Sequence, residues 1–253
     1  MQAVVITGAS AGIGKEFARQ LAAEGKSLVL VARRLDRLEA LAAELRDGHG
    51  IEVACIASDL AQPQASAELV KALEEQQIAV TGLINNDGFG DRGQFADLDL
   101  QRQLDMVQVN VTALVDLTWR LVPALKQAQD AFVINVASTA AFQAGPNMTI
   151  YYATKAFVLS FSEGLHEELK ASGVAVSALC PGATDSEFAT EAHMTDTLLF
   201  KAGTMRTDAV VKKSLAARRR AIVIPGLKNL LLVWMGKLSP RMITRRLAGM
   251  LQA

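Results

Sequence analysis

The sequence predicts an α/β protein: a single domain with a doubly wound, seven-stranded parallel sheet flanked by helices, followed by a helical C-terminal extension. Three observations carry this reading. Short apolar runs alternate with longer segments of helical period, the pattern of a parallel sheet covered on both faces. The 253 residues are 51% hydrophobic, enough to bury one sizeable core. No repeat, low-complexity linker or composition break divides the chain, so residues 1–253 read as one domain.

The elements follow in order. A first strand, Ala3 to Ile6, runs into Thr7-Gly8-Ala9-Ser10-Ala11-Gly12-Ile13-Gly14, and a helix spans Ile13 to Glu24. A second strand, Ser27 to Ala32, precedes a helix over Leu35 to Arg46, where Leu35, Leu38, Leu41, Ala42 and Leu45 form one apolar stripe. Strands at Ile51 to Ile56 and Gly82 to Asn85 bracket a helix over Pro63 to Gln77, and one long helix is expected from Leu100 to Gln127. Strands Ala131 to Val136, Val174 to Leu179 and Ala221 to Ile224 complete the sheet, with helices over Thr149 to Ser172 and Thr207 to Arg219. Residues Gly182 to Met205 carry Phe188, Met194, Leu198, Leu199 and Phe200 without a clean period and read as a mobile helical loop of the kind that closes over ligands. From Gly226 to Ala253, a break at Pro240 separates two short amphipathic helices outside the sheet.

Charge and rare residues exclude several classes of function. The 26 Lys and Arg balance 26 Asp and Glu, so the whole chain is no polyanion binder and nucleic acid is not an expected partner. Cys55 and Cys180 lie far apart in apolar surroundings and read as reduced core residues. His49, His166 and His193 show no metal-ligand spacing, so no metal is expected. Met1 leads almost directly into an apolar strand without a basic leader, and the longest apolar stretch, Leu230 to Met235, is too short to span a bilayer; a cytoplasmic protein is expected. The zero net charge is itself a cancellation. After Asp208 come ten basic residues and no acidic one, against 16 basic and 26 acidic before. That segment either packs on the acidic body or another subunit, or rests on an anionic membrane surface or an acidic partner.

The glycine-rich turn after the first strand has the chemistry of a phosphate cradle. Glycines let the backbone turn tightly and approach a ligand, while the free N–H groups of the helix start attract a pyrophosphate. Its spacing is Gly8-x-x-x-Gly12-x-Gly14. With Asp59-Leu60, Asn85-Asn86-x-Gly88, Asn110 in Val-Asn-Val, Ser138 in Asn-Val-Ala-Ser, Tyr151-x-x-x-Lys155 and Pro181-Gly182, the chain resembles the short-chain dehydrogenase/reductase family from Met1 to at least Gly182. The resemblance implies a Rossmann-type domain.

Residue chemistry supports the same picture. Tyr151 and Lys155, four apart on a helix, project from one face. A tyrosine of pKa about 10 is a poor base at neutral pH, but an adjacent ammonium favours its phenolate. By resemblance Tyr151 is the acid/base, Ser138 orients the substrate oxygen, Lys155 holds the nicotinamide ribose and tunes Tyr151, and Asn110 anchors a proton-relay water. The resemblance also implies that Gly8, Ser10, Ala11, Gly12, Ile13 and Gly14 cradle the pyrophosphate. Asp59 with Leu60 would meet the adenine edge, Asn86 the adenosine ribose, and Thr184 after Pro181-Gly182 the carboxamide. Asn85 reads as a residue tying the sheet together. The second strand ends in Ala32-Arg33-Arg34, where members that prefer NAD carry an acid, and arginines suit a 2′-phosphate; NADP(H) is the expected cofactor.

One departure stands out. The family's Asn-Asn-Ala-Gly is here Asn85-Asn86-Asp87-Gly88, which sets a carboxylate near an anionic cofactor. Candidate substrate walls are Ala140, Phe142, Gln143, Met148, Phe188, Met194, Leu198 and Phe200, mostly apolar and without a clear carboxylate-binding arginine. The expected activity is NADP(H)-dependent hydride transfer between the nicotinamide and a small or apolar carbonyl or alcohol. A 3-ketoacyl-carrier-type reductase is the alternative, as is a cofactor-binding sensor or scaffold with residual catalysis. By resemblance a homo-oligomer, dimer or tetramer, is expected.

Overall fold

The computed structural model describes residues 1–201 and 203–252. The chain runs β1 (Gln2–Thr7), α1 (Gly12–Ala23), β2 (Ser27–Ala32), α2 (Leu35–His49), β3 (Val53–Ala57), α3 (Ala65–Glu75), β4 (Ala79–Asn85) and α4 (Leu100–Val107). A π-helical stretch, Gln108–Ala113, leads into α5 (Leu114–Leu125), β5 (Phe132–Val136) and a 3₁₀ turn, Thr139–Phe142. Then come α6 (Thr149–Lys170), β6 (Ala175–Leu179), α7 (Phe188–Glu191), α8 (Leu198–Lys201), α9 (Thr207–Ala216), β7 (Ile222–Val223), α10 (Leu227–Leu238) and α11 (Arg241–Gln252). The seven strands are all parallel, in the order β3-β2-β1-β4-β5-β6-β7.

Strand alternation explains the two-sided core. Val4, Ile6, Leu28 and Leu30 face one way and pack with Phe17 and Leu21 of α1, Leu38 and Leu45 of α2, and Val210 and Val211 of α9. Ala3, Val5, Val29 and Val31 face the other way, toward Leu69 and Leu73 of α3, Leu117 and Leu121 of α5, and Leu169 of α6. β1 is buried on both faces, which is why its sequence is a continuous apolar run.

Two elements differ from the sequence expectation for identifiable reasons. β4 begins at Ala79, ahead of the expected Gly82, because its pairing with β1 shifts register between Ala3 and Val4, where the Thr81 hydroxyl bonds the Ala3 carbonyl. That irregularity falls where Thr81 and Gly82 interrupt the strand's apolar run. The expected single helix over Leu100 to Gln127 contains the π stretch, a device often found at functional sites, which turns Val109, Asn110 and Ala113 inward.

A buried polar chain ties the sheet to α5 and α6, two helices of one layer, near the site. Asn85 Nδ2 donates to Thr118 Oγ1 of α5 at 2.9 Å and to Asn135 Oδ1 of β5 at 2.8 Å, and Asn135 Nδ2 donates to Ser162 Oγ of α6 at 2.9 Å. Asn85 is thus the sheet-tying residue expected. Asn85→Ala would leave two buried acceptors without their donor, so urea denaturation should find the variant about 2–4 kcal/mol less stable; a loss below roughly 0.5 kcal/mol would show the chain to be dispensable.

Candidate active site

Chain order reverses between β1 and β4, and at the carboxyl ends of the strands there a cavity of about 1000 Å³ opens. Its floor is a clamp between the two strand ends. Thr7 Oγ1 accepts the N–H groups of Asn86 and Asp87, each at 3.0 Å, and Asn86 Nδ2 donates to the Thr7 and Gly8 carbonyls at 3.0 and 3.1 Å. Gly8 has φ +63°, and a Cβ there would lie 2.7 Å from Asn86 Nδ2 and 2.9 Å from Asp87 Cα; a Cβ on Gly14 would strike the Gly8 carbonyl. α1 starts without a side-chain cap and without an acid in its first turn, so its leading N–H groups are available to an anion. These residues fit the pyrophosphate of a dinucleotide.

Ser10, Ala11, Gly12 and Ile13 line the cavity beside Arg33 and Arg34, Asp59, Asn86, Pro181, Gly182 and Thr184, so most of the expected cofactor set converges. Arg34 Nη2 donates to Ser10 Oγ at 3.1 Å, joining the end of β2 to the cradle. Leu60 does not reach the wall: its side chain packs with Ala65, Val109 and Ala113, and its neighbours Asp59, Ala61 and Gln62 take the cavity edge. Gly14 lies beneath the cradle, where its missing side chain allows the close approach of Gly8 and Asn86.

The catalytic candidates meet at the inner end. Ser138 caps the 3₁₀ turn, its Oγ accepting from the Ala140 N–H at 3.1 Å, and also hydrogen-bonds Tyr151. Tyr151 and Lys155 rise from the buried face of α6. Lys155 Nζ donates to the Val136 carbonyl at 2.8 Å and lies 5.8 Å from the Tyr151 ring centroid. Burial raises the Tyr151 pKa above its usual value, with the Ser138 hydrogen bond opposing, so the phenol keeps its proton. Burial lowers Lys155 to about 8, against the pull of the Asp87 charge. Asn110 sits behind the wall. Its side chain bonds both backbone groups of Phe89, at 3.1 and 3.0 Å, and donates to Thr154 Oγ1 at 3.0 Å; that hydroxyl in turn donates to the Tyr151 carbonyl. Its side chain therefore ties the strand-end loop to α6 under the tyrosine.

Around Tyr151 the cavity is apolar. Phe188 lies 5.2 Å from its ring centroid, and Ala140, Phe142, Gln143, Met148, Met194 and Phe200 complete the expected walls; the side chain of Leu198 lies outside the described residues. Sequence reasoning missed the outer wall, where Leu232, Val233 and Met235 of α10 and Thr244, Leu247 and Ala248 of α11 line the same cavity. Their signal was the amphipathic period after Pro225, which says that a face is buried but not against what. It also missed Glu187, one of four acids in a segment without period, which pairs with Arg34 and Arg37.

A proton-holding phenol set beside a pyrophosphate cradle is what hydride exchange between a dinucleotide and an alcohol requires, and the molecule is of that class, a dinucleotide-dependent oxidoreductase. The family model for the short chain dehydrogenases matches residues 2–197. The chain belongs to the short-chain dehydrogenase/reductase family, whose members act on CH–OH and C=O groups. It is 40% identical over 187 residues to sulfoacetaldehyde reductase of Chromohalobacter salexigens, spanning 73% of each chain. It is also 33% identical over 182 residues to very-long-chain 3-oxoacyl-CoA reductase of Anas platyrhynchos, covering 70% of this chain but only 58% of that one. Among solved structures, a short-chain dehydrogenase from Sphingobium yanoikuyae in complex with NADPH superposes with a TM-score of 0.82 at 34% identity, covering 94% of this chain and 97% of that one.

Asp87 is the departure from the family pattern. Burial raises its pKa, while Arg33, the Gly88 N–H and Lys155 pull it down. A carboxylate here opposes an anionic ligand, so Asp87→Ala should tighten NADPH binding about three- to tenfold at pH 7.5 by fluorescence titration. A raised carboxyl protonates first as pH falls, so the gap between wild type and variant should narrow toward pH 5.5. Unchanged or weaker binding by the variant would mean that the charge is satisfied in place.

Proposed function

We propose that the protein is an NADP(H)-dependent reductase or dehydrogenase of apolar carbonyl and alcohol substrates, with Tyr151 as its acid/base. The observation that carries this reading is the buried Tyr151 hydroxyl, hydrogen-bonded by Ser138 and enclosed by Phe188, Met148 and Tyr152. Bound NADP(H) supplies or accepts the hydride. Ser138 holds the substrate oxygen and Tyr151 passes it a proton, or takes one in the reverse direction. Lys155 keeps a positive charge below pH about 8, which favours the phenolate left on Tyr151. The apolar wall excludes water from the reacting carbon.

The substrate class follows from the pairing of charges. Arg102, at the cavity edge, has its charge matched by Asp91 at 3.4 Å and Glu191 at 3.6 Å. An anionic substrate would have to displace a carboxylate to use it, whereas an apolar one meets Phe89, Phe142 and Met148 unopposed. A 3-oxoacyl thioester is the second reading, supported by the likeness to a 3-oxoacyl-CoA reductase and by the basic residues around the outer wall. The family reading also expects a homo-oligomer, for which the exposed Trp119 of α5 and Phe157 of α6 supply apolar surface.

The C-terminal helices fit peripheral contact with an anionic membrane. Among the described residues no helix is long and apolar enough to cross one. Yet Leu231, Trp234, Leu238, Ile243 and Leu247 are exposed beside Lys228, Lys237, Arg241, Arg245 and Arg246, and none of these five cations has an ion pair among the described residues.

Turnover against a panel of apolar aldehydes, ketones and alcohols tests the activity. Tyr151→Phe should lose at least about 100-fold in kcat with little change in NADPH binding; wild type that binds NADPH but turns over nothing on a broad panel would favour the sensor or scaffold. In flotation assays, vesicles rich in phosphatidylserine should carry the protein at low salt and release it at high salt. Absence from the floated fraction at low salt would return the C-terminal helices to a purely intramolecular or intersubunit role.

A further inference from the structure

Segment 182–205 covers the cavity as a loop with joined ends. Thr184 bridges Met205, the Asp185 N–H donates to the Met205 carbonyl at 2.9 Å, and the Met205 N–H donates to the Ala183 carbonyl at 2.8 Å. Between these ends the lid is held from two sides, with Arg102 Nη2 also donating to the Glu191 carbonyl at 3.0 Å. On the substrate side, Arg92 bonds the His193 carbonyl at 2.8 Å and Asp196 at 2.8 Å. On the cofactor side, Glu187 receives Arg34 Nη2 at 3.0 Å and Arg37 Nη1 at 2.8 Å, one arginine on each carboxylate oxygen.

Arg34 is the side chain expected to receive a 2′-phosphate, and it already bridges to Ser10 of the cradle. A carboxylate and a phosphate cannot share it without bringing like charges together. We propose that Glu187 is a positioning residue that stands in for the 2′-phosphate: it holds Arg34 and Arg37 until a 2′-phosphorylated nucleotide takes them, and that exchange frees the lid from the cofactor side. The proposal rests on the reading of the cradle as an NADP(H) site.

Relative strength favours the exchange. The side chains of Arg34, Arg37 and Glu187 are 43%, 45% and 56% exposed, the range in which an ion pair is weak. A phosphate near −2 with three acceptor oxygens binds the same guanidinium groups more strongly than one carboxylate. The two arginines hold the Glu187 pKa below the usual carboxylate value, so it remains a competing anion at neutral pH. Release would be felt at the chemistry, because the next residue, Phe188, packs against the Tyr151 ring. A nucleotide without the 2′-phosphate would leave the clasp closed, which makes Glu187 a determinant of cofactor choice.

Calorimetric titration of the full chain with 2′,5′-ADP and with ADP tests this, since only the first carries a 2′-phosphate. Glu187→Gln should tighten 2′,5′-ADP about three- to fivefold, the scale of an exposed ion pair, and change ADP binding by less than about 1.5-fold. Amide hydrogen exchange over α7 should rise in wild type with saturating 2′,5′-ADP but not with ADP, and should already be high in Glu187→Gln without nucleotide. Unchanged or weaker 2′,5′-ADP binding by the variant would overturn the proposal, because Glu187 would then be orienting the arginines for the ligand. Slower exchange in α7 with 2′,5′-ADP would overturn it too. Wild type that binds neither nucleotide would instead bring down the NADP(H) reading beneath it.

Discussion

The clamp between the ends of β1 and β4 is the contact on which the rest of the site depends. One hydroxyl, Thr7 Oγ1, accepts two successive backbone N–H groups, and one amide, Asn86 Nδ2, donates to two successive carbonyls. Each bond contributes only about 1 kcal/mol net, but together they hold two strand ends so close that Gly8 and Gly14 have no room for a side chain. The same closeness leaves the backbone N–H groups of the turn bare for a ligand. It is transmitted forward as well. Residues 87 to 90 leave the clamp and pass against the catalytic group, where a Cβ on Gly88 would lie 2.8 Å from Asn110 Oδ1 and 3.3 Å from Lys155 Nζ, and one on Gly90 would lie 3.2 Å from the Tyr151 ring. The glycine-rich turn and the Tyr151–Lys155 pair are therefore linked through one short span of chain.

That span explains the electrostatics of the site. Lys155 and Tyr151 are buried, and burial disfavours the charged form of each, pushing the lysine down and the tyrosine up. Each shift is opposed by a neighbour. The compensation comes from neighbours placed by the same backbone: Ser138 from the end of β5, the Val136 carbonyl that fixes Lys155, and Asp87, whose charge favours the ammonium. Asp87 thus acts in two directions. It supports Lys155 while opposing an anionic cofactor in the same cavity.

What was legible in the sequence was what local geometry encodes. The four-residue step from Tyr151 to Lys155 sets both on one helical face, the seven strands show in apolar runs, and the cradle glycines sit where a turn admits no side chain. Asn110 was legible as a motif but its ties to Phe89 and Thr154 were not, because the π stretch that turns it inward leaves no periodic mark, and a helix of ordinary pitch was the natural expectation. Leu60 was drawn into the cofactor set by adjacency to Asp59, yet the two lie in a tight turn that sends the Leu60 side chain inward against Ala65 and Val109. Glu187 could not be found at all. Its partners lie 150 and 153 residues away in sequence, and only the folded lid brings them together.

The inner and outer walls of the cavity come from different parts of the chain. The family model ends at residue 197, and the cradle, Tyr151, Lys155 and Ser138 all precede that point. The outer wall of the substrate cavity comes from α10 and α11, beyond it. Those helices also carry five of the ten basic residues whose sum cancels the acidic body to a net charge of zero. Of the ten, Arg219 alone forms an ion pair among the described residues, with Asp130 at 2.8 Å, so the cancellation is arithmetical and not a matter of contact. The positive charge stays on the surface, on helices that wall the chamber with one face and present Trp234 and Leu238 to the outside with another. A ligand reaching Tyr151 past this wall meets an apolar and cationic lip first, so the segment beyond the family match is the one that shapes the entrance to the chamber.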